Sequence, residues 1–78
     1  MDREEIITKI TEELNVCEEY LKREARLDFI LRILEDLMDE IQEAKKKNIS
    51  LGGLEEKVRI LYHRASTLVA LIEQGVKK

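Results

Sequence analysis

The chain has 78 residues, of which 40% are charged and 44% hydrophobic, and a formal net charge of −3 at pH 7. That length allows one domain at most, the aliphatic content is too high for disorder, and the mild acidic balance argues against a dedicated binder of many nucleic-acid phosphates. Cys17 is the only cysteine and His63 the only histidine, which excludes an intramolecular disulfide framework and a Cys/His zinc site.

Proline and tryptophan are absent, and only three glycines occur. A mixture rich in Lys, Glu, Leu and Ile belongs to long amphipathic helices, so the expected fold class is all-α. The same enrichment in charged and aliphatic residues characterises thermophile proteins and designed helical bundles. No apolar run approaches the roughly 18 residues of a membrane span. The start, MDREEII, is acidic where a secretion signal begins basic, so a soluble, cytoplasmic protein is expected.

In chain order, the first predicted helix covers residues 2–25. Ile7, Ile10, Leu14, Cys17 and Leu21 alternate at spacings of three and four, and Ile6 and Tyr20 widen the stripe. Asp2, Glu4 and Glu5 favour the positive end of the helix dipole, and Lys22 and Arg23 the negative end. The stripe then fails, since its continuation would fall on Glu24 and Asp28. A new one runs through Leu27, Ile30, Leu34, Leu37, Ile41 and Ala44, rotated by roughly 110° at about 100° per residue. One straight helix over 2–47 could carry both stripes only if its halves packed against different partners. A break near Glu24–Asp28, with Asp28 as N-cap, explains the change of phase more simply, although KREARLD contains no glycine.

The second helix is expected over 28–47. It ends on Lys45, Lys46 and Lys47 and then Asn48, a residue that tolerates a left-handed cap. NISLGG is the one unambiguous turn. The third helix is expected over 51–75, capped by Ser50 or a glycine, with the stripe Leu51, Leu54, Val58, Leu61, Ala65, Leu68 and Ile72. Three segments of similar length, in one domain spanning 1–78, predict an up-down-up bundle with coiled-coil-like heptads.

No constellation for chemistry stands out. His63 has no acid three residues earlier, because that position is Ile60, and nothing in the spacing supplies an orienting carboxylate. Cys17 lies on a core stripe beside Glu18 and Glu19, which oppose thiolate formation, so it reads as a small buried hydrophobe. The paired carboxylates fit solvated helix faces, and Gly52–Gly53 lack the Gly-Lys-Ser/Thr of a phosphate loop. Neither catalysis nor a cofactor or metal is expected. Ile30, Leu34, Leu37 and Ile41 with Asp39–Glu40 resemble the anchors of death-motif helices that dock into apoptosis regulators. The likeness spans about 12 residues, departs at the bulky Met38 and otherwise needs only an amphipathic helix.

Two features point outward. Charge is segregated: residues 1–21 hold seven acids and two bases, residues 45–78 eight bases and three acids. Pairing between the first and third helices, within one chain or between two, is the expected use. The alternative is a nucleic-acid-binding bundle using Lys22, Arg23, Arg26, Lys45, Lys46 and Lys47. Second, Phe29, Leu31, Ile33, Met38, Ile60 and Leu71 do not all fit one core-facing stripe of a monomer. They form the expected self-association surface of a two-fold dimer, and the expected function is a non-catalytic protein–protein interaction or assembly module.

Overall fold

The computed structural model describes residues 2–76, and their side chains as far as Glu73. It contains three helices, α1 (Arg3–Lys22), α2 (Leu27–Lys46) and α3 (Leu54–Val76). All three pack against one another, which makes a three-helix bundle. Lys9 of α1 meets Glu40 of α2, and Tyr20 meets Phe29, so these helices run antiparallel. Lys45 meets Glu55, and Tyr62 meets Glu35, so α3 turns back along α2 and the topology is up-down-up.

The change of stripe phase after Leu21 does mark a break. α1 ends at Lys22, earlier than expected, and α2 begins at Leu27. Glu24 adopts a left-handed conformation with φ of 51°. The Glu24 amide donates to the Leu21 carbonyl at 3.1 Å and the Ala25 amide to the Tyr20 carbonyl at 3.0 Å. These two bonds form a Schellman cap, which satisfies carbonyls a helix end would otherwise leave open. Arg26, also left-handed at φ 52°, occupies the N-cap of α2, and its carbonyl accepts from the Ile30 amide at 3.0 Å. Asp28, expected as that cap, lies instead in the first turn of α2, where its carboxylate favours the positive end of the helix dipole.

The other ends follow the sequence more closely. Asp2 caps α1, accepting from the Glu5 amide at 2.9 Å. Asn48, at φ 60°, ends α2 in a second Schellman cap: its amide donates to Lys45 at 3.0 Å, and that of Ile49 to Ala44 at 2.9 Å. Gly52 supplies the left-handed residue of the next turn at φ 62°. The Gly53 carbonyl accepts from Lys57 and starts α3, three residues later than expected.

The core holds Ile10, Leu14, Cys17 and Leu21 of α1, the whole Leu27–Ala44 stripe of α2, and Val58, Leu61 and Ala65 of α3. Leu51, in the loop, closes one end. Each fully buried aliphatic side chain contributes roughly 1.5–3 kcal/mol. The four apolar positions that resemble docking anchors, Ile30, Leu34, Leu37 and Ile41, are all spent on this core. Four expected core positions are not fully buried. Ile7, Leu54 and Leu68 are half-buried, and Ile72 is 44% exposed. The reason for Leu68 and Ile72 is length. Leu68 shares a groove with Leu21 and Lys22 at the end of α1, and α3 continues to Val76, about 12 Å further at 1.5 Å per residue. The stripe keeps its period after the neighbouring helices have stopped.

Candidate functional site

α2 has two flanks, and they are covered differently. On the flank toward α3, Leu31 and Met38 are half-buried, one turn on either side of Glu35. The Tyr62 hydroxyl donates to Glu35 Oε2 at 3.2 Å, and Lys45 Nζ lies 3.2 Å from Glu55 Oε2. On the flank toward α1, the stripe is Phe29, Ile33, Asp36 and Glu40. Lys9 Nζ lies 2.6 Å from Glu40 Oε1, and the Tyr20 ring stands edge-on to Phe29 with centroids 6.4 Å apart. Ile33 is half-buried, but Phe29 remains 40% exposed.

The expected self-association residues therefore fall in three places. Leu31 and Met38 belong to the α2–α3 seam, and Phe29 and Ile33 to the α1–α2 seam. Ile60 and Leu71, exposed at 52% and 57%, lie on one side of α3, about 16 Å apart along its axis. Sequence reasoning passed over Val16, 45% exposed, one turn from Tyr20. The signal was an i,i+4 apolar pair, Val16 and Tyr20, set beside a second one, Phe29 and Ile33. It becomes legible only once the two helices are known to be antiparallel neighbours.

The α1–α2 seam is also where titration is perturbed. Glu13 Oε2 is buried with no hydrogen-bond partner. Burial raises the Glu13 pKa, the charges of Glu40 and Asp36 raise it further, and Lys9 opposes them. The Lys9 pKa is raised chiefly by its hydrogen bond to Glu40. Cys17, fully enclosed, has its thiol pushed up to about 11 by burial, with a smaller contribution from Glu13. A thiol held there is protonated at neutral pH and is a poor nucleophile.

His63 is exposed, on a groove shared with Lys22, Glu24 and Arg64. Among the described residues, no group of three or more His, Cys, Asp or Glu side chains is placed to hold a metal ion. No described helix is long and apolar enough to cross a membrane. The two basic clusters lie at opposite ends of α2, Arg26 before it and Lys45–Lys47 at its close, about 30 Å apart. Within the chain, no salt bridge joins α1 to α3 among the described residues. Among the described residues, the interhelical salt bridges are Lys9–Glu40 and Lys45–Glu55, both to or from α2. Arg3 Nε, at the start of α1, donates instead to the Ser50 carbonyl in the loop before α3 at 2.7 Å. A scan against protein-family models, a search of curated proteins and a search of solved structures each returned no match.

Proposed function

We propose that the chain is a non-catalytic helical interaction and assembly module that works as a homodimer. One observation carries this reading. The core is already filled, yet Val16, Phe29, Ile60, Leu71 and Ile72 remain exposed. They divide between the α1–α2 seam and α3, and single exposed apolar residues are ordinary, but this many large ones on so small a bundle mark association surfaces. A chain of this size also gains much of its stability from a partner subunit when no disulfide or metal assists it. The heptad-like spacing of α3, Val58, Leu61, Ala65, Leu68 and Ile72, suits helix-on-helix packing of the coiled-coil kind. The protonated, enclosed Cys17 suits a reducing compartment such as the cytoplasm. The 30 Å separation of the two basic clusters weighs against using them as one nucleic-acid strip.

Size-exclusion chromatography with light scattering at low micromolar concentration tests the proposal. The expected mass is twice the 9.2 kDa of the chain. A folded particle of single-chain mass at those concentrations overturns the homodimer.

A further inference from the structure

The outer face of the α1–α2 seam carries a pattern whose positions are symmetric about its middle and whose charges are opposite at its two ends. At its middle lie two apolar pairs, Val16 with Tyr20 on α1 and Phe29 with Ile33 on α2. One end of the face is cationic. Arg23 borders a groove with Val16 and Tyr20 that Asn15 and Glu19 also line, and the Arg26 guanidinium sits 4.8 Å from the Phe29 ring centroid. The other end is anionic, with Glu13 feeling the charges of Asp36 and Glu40 against the single cation Lys9.

The spacings coincide. Val16 and Tyr20 are centred on the level of Glu18, and so are Glu13 and Arg23. Phe29 and Ile33 are centred on the level of Leu31, and so are Arg26 and Asp36. The register set by Lys9–Glu40 and Tyr20–Phe29 places the level of Glu18 opposite that of Leu31. A single line across both helices is therefore the midpoint of the apolar pairs and of both charge pairs.

We infer that this face binds a second copy of the chain, about a two-fold axis lying along that line. This rests on the proposed homodimer and names its surface. The rotation stacks each helix antiparallel on its own counterpart. Val16 of one protomer meets Tyr20 of its partner, and Phe29 meets Ile33. Arg23 comes over the partner's Glu13, and Arg26 over the partner's Asp36, at both ends of the interface. Such a surface is isologous, as two-fold association requires. Glu13 Oε2 is enclosed within its own chain, so Arg23 of the partner subunit would act on this carboxylate through its charge rather than through a bond to that oxygen. Two helices about 30 Å long and 10 Å across present a face of roughly 600 Å² in projection. That is the scale of the roughly 800 Å² of accessible surface each partner gives to a stable interface.

Charge reversal tests this. One variant carries Arg23→Glu with Arg26→Glu, the other Glu13→Lys with Asp36→Lys. Each alone sets like charges against like at both ends, and self-association should weaken at least tenfold by light scattering. Mixed in equal amounts, the two restore attraction at both ends and should give a particle of two-chain mass. Phe29→Ser, at a partly exposed site, should lower dimer affinity while keeping helical circular dichroism, whether or not the doubly reversed chains fold. If all three variants dimerise as the parent does, the inferred face is wrong while the homodimer stands. A parent chain that stays monomeric at low micromolar concentration overturns both.

Discussion

The two connections of this bundle make the same backbone turn with different residues. Both α1 and α2 end in a Schellman cap with paired bonds of 2.9–3.1 Å and a left-handed residue just past the helix. At the end of α2 that residue is Asn48, and the following turn has Gly52, both at ease with positive φ. At the end of α1 it is Glu24, followed two residues later by Arg26, and neither has the short side chain that eases this conformation. The left-handed region costs an ordinary L-residue roughly 1–2 kcal/mol. The α1–α2 turn thus holds strain that the α2–α3 turn does not. Packing on either side maintains it: Leu21 and Leu27 are both buried, and Tyr20 and Arg26 both engage Phe29.

The contrast is sharpest if the strained turn is relaxed. Glu24→Gly with Arg26→Gly should raise unfolding stability by about 2 kcal/mol, less what is lost with the Arg26–Phe29 contact. For a domain of this size that moves Tm by about 4–8 °C per kcal/mol, and a thermal melt followed by circular dichroism measures it. A melt unchanged or lowered would mean that the strain is absorbed elsewhere. Gly52→Ala should act in the opposite direction, with a loss of about 1 kcal/mol. A Cβ at Gly52 meets no atom within 4 Å, so any loss comes from the backbone alone. Asn48→Gly is the control. Because Asn already tolerates the conformation, the gain should be only a few tenths of a kcal/mol in a denaturant titration.

The seams beside the two turns differ as well, and pH separates them. The α1–α2 seam contains Glu13, whose folded pKa is raised above its ordinary value of 4.5. A raised carboxyl pKa means that the folded state binds the proton more readily than the unfolded one. This group therefore adds stability as pH falls from neutrality through its folded pKa. The gain is complete below its unfolded pKa. At concentrations where the chain is monomeric, Glu13→Gln should remove that slope, seen in urea midpoints between pH 7 and pH 4; in the dimer an arginine of the partner subunit would oppose the rise. A slope that survives the substitution would assign it to other carboxylates.

Much of the fold was legible because hydrophobic period and turn chemistry agreed. The α2 stripe is buried along its whole length, and Asn48 ends α2 as its residue type suggests. The break after α1 was legible from the shift of phase, but its cap was not. Glu24 and Arg26 carry no local signature of positive φ, and Asp28 looked like a better cap than the residue that takes the position. The loss of burial at Ile72 was hidden for another reason. A helical stripe records what could be covered, and only the relative lengths of neighbouring helices decide what is. The candidate face was half legible. Phe29 and Ile33 were visible as surplus apolar residues, whereas Val16 needed the α1–α2 register before it had neighbours.

Cys17 finally gives the chain an internal reporter. Its side chain is fully enclosed and its thiol is held protonated, so a reagent in solution can reach it only when α1 lifts from α2 and α3. When closing is fast relative to the chemistry, the labelling rate measures the population of that opened form rather than the intrinsic reactivity of the thiol. Because the chain has no second cysteine, one modification counts one opening event per molecule. If dimerisation clamps α1 through its outer face, labelling should slow as protein concentration rises. The same thiol would then follow local opening and subunit exchange without an introduced cysteine.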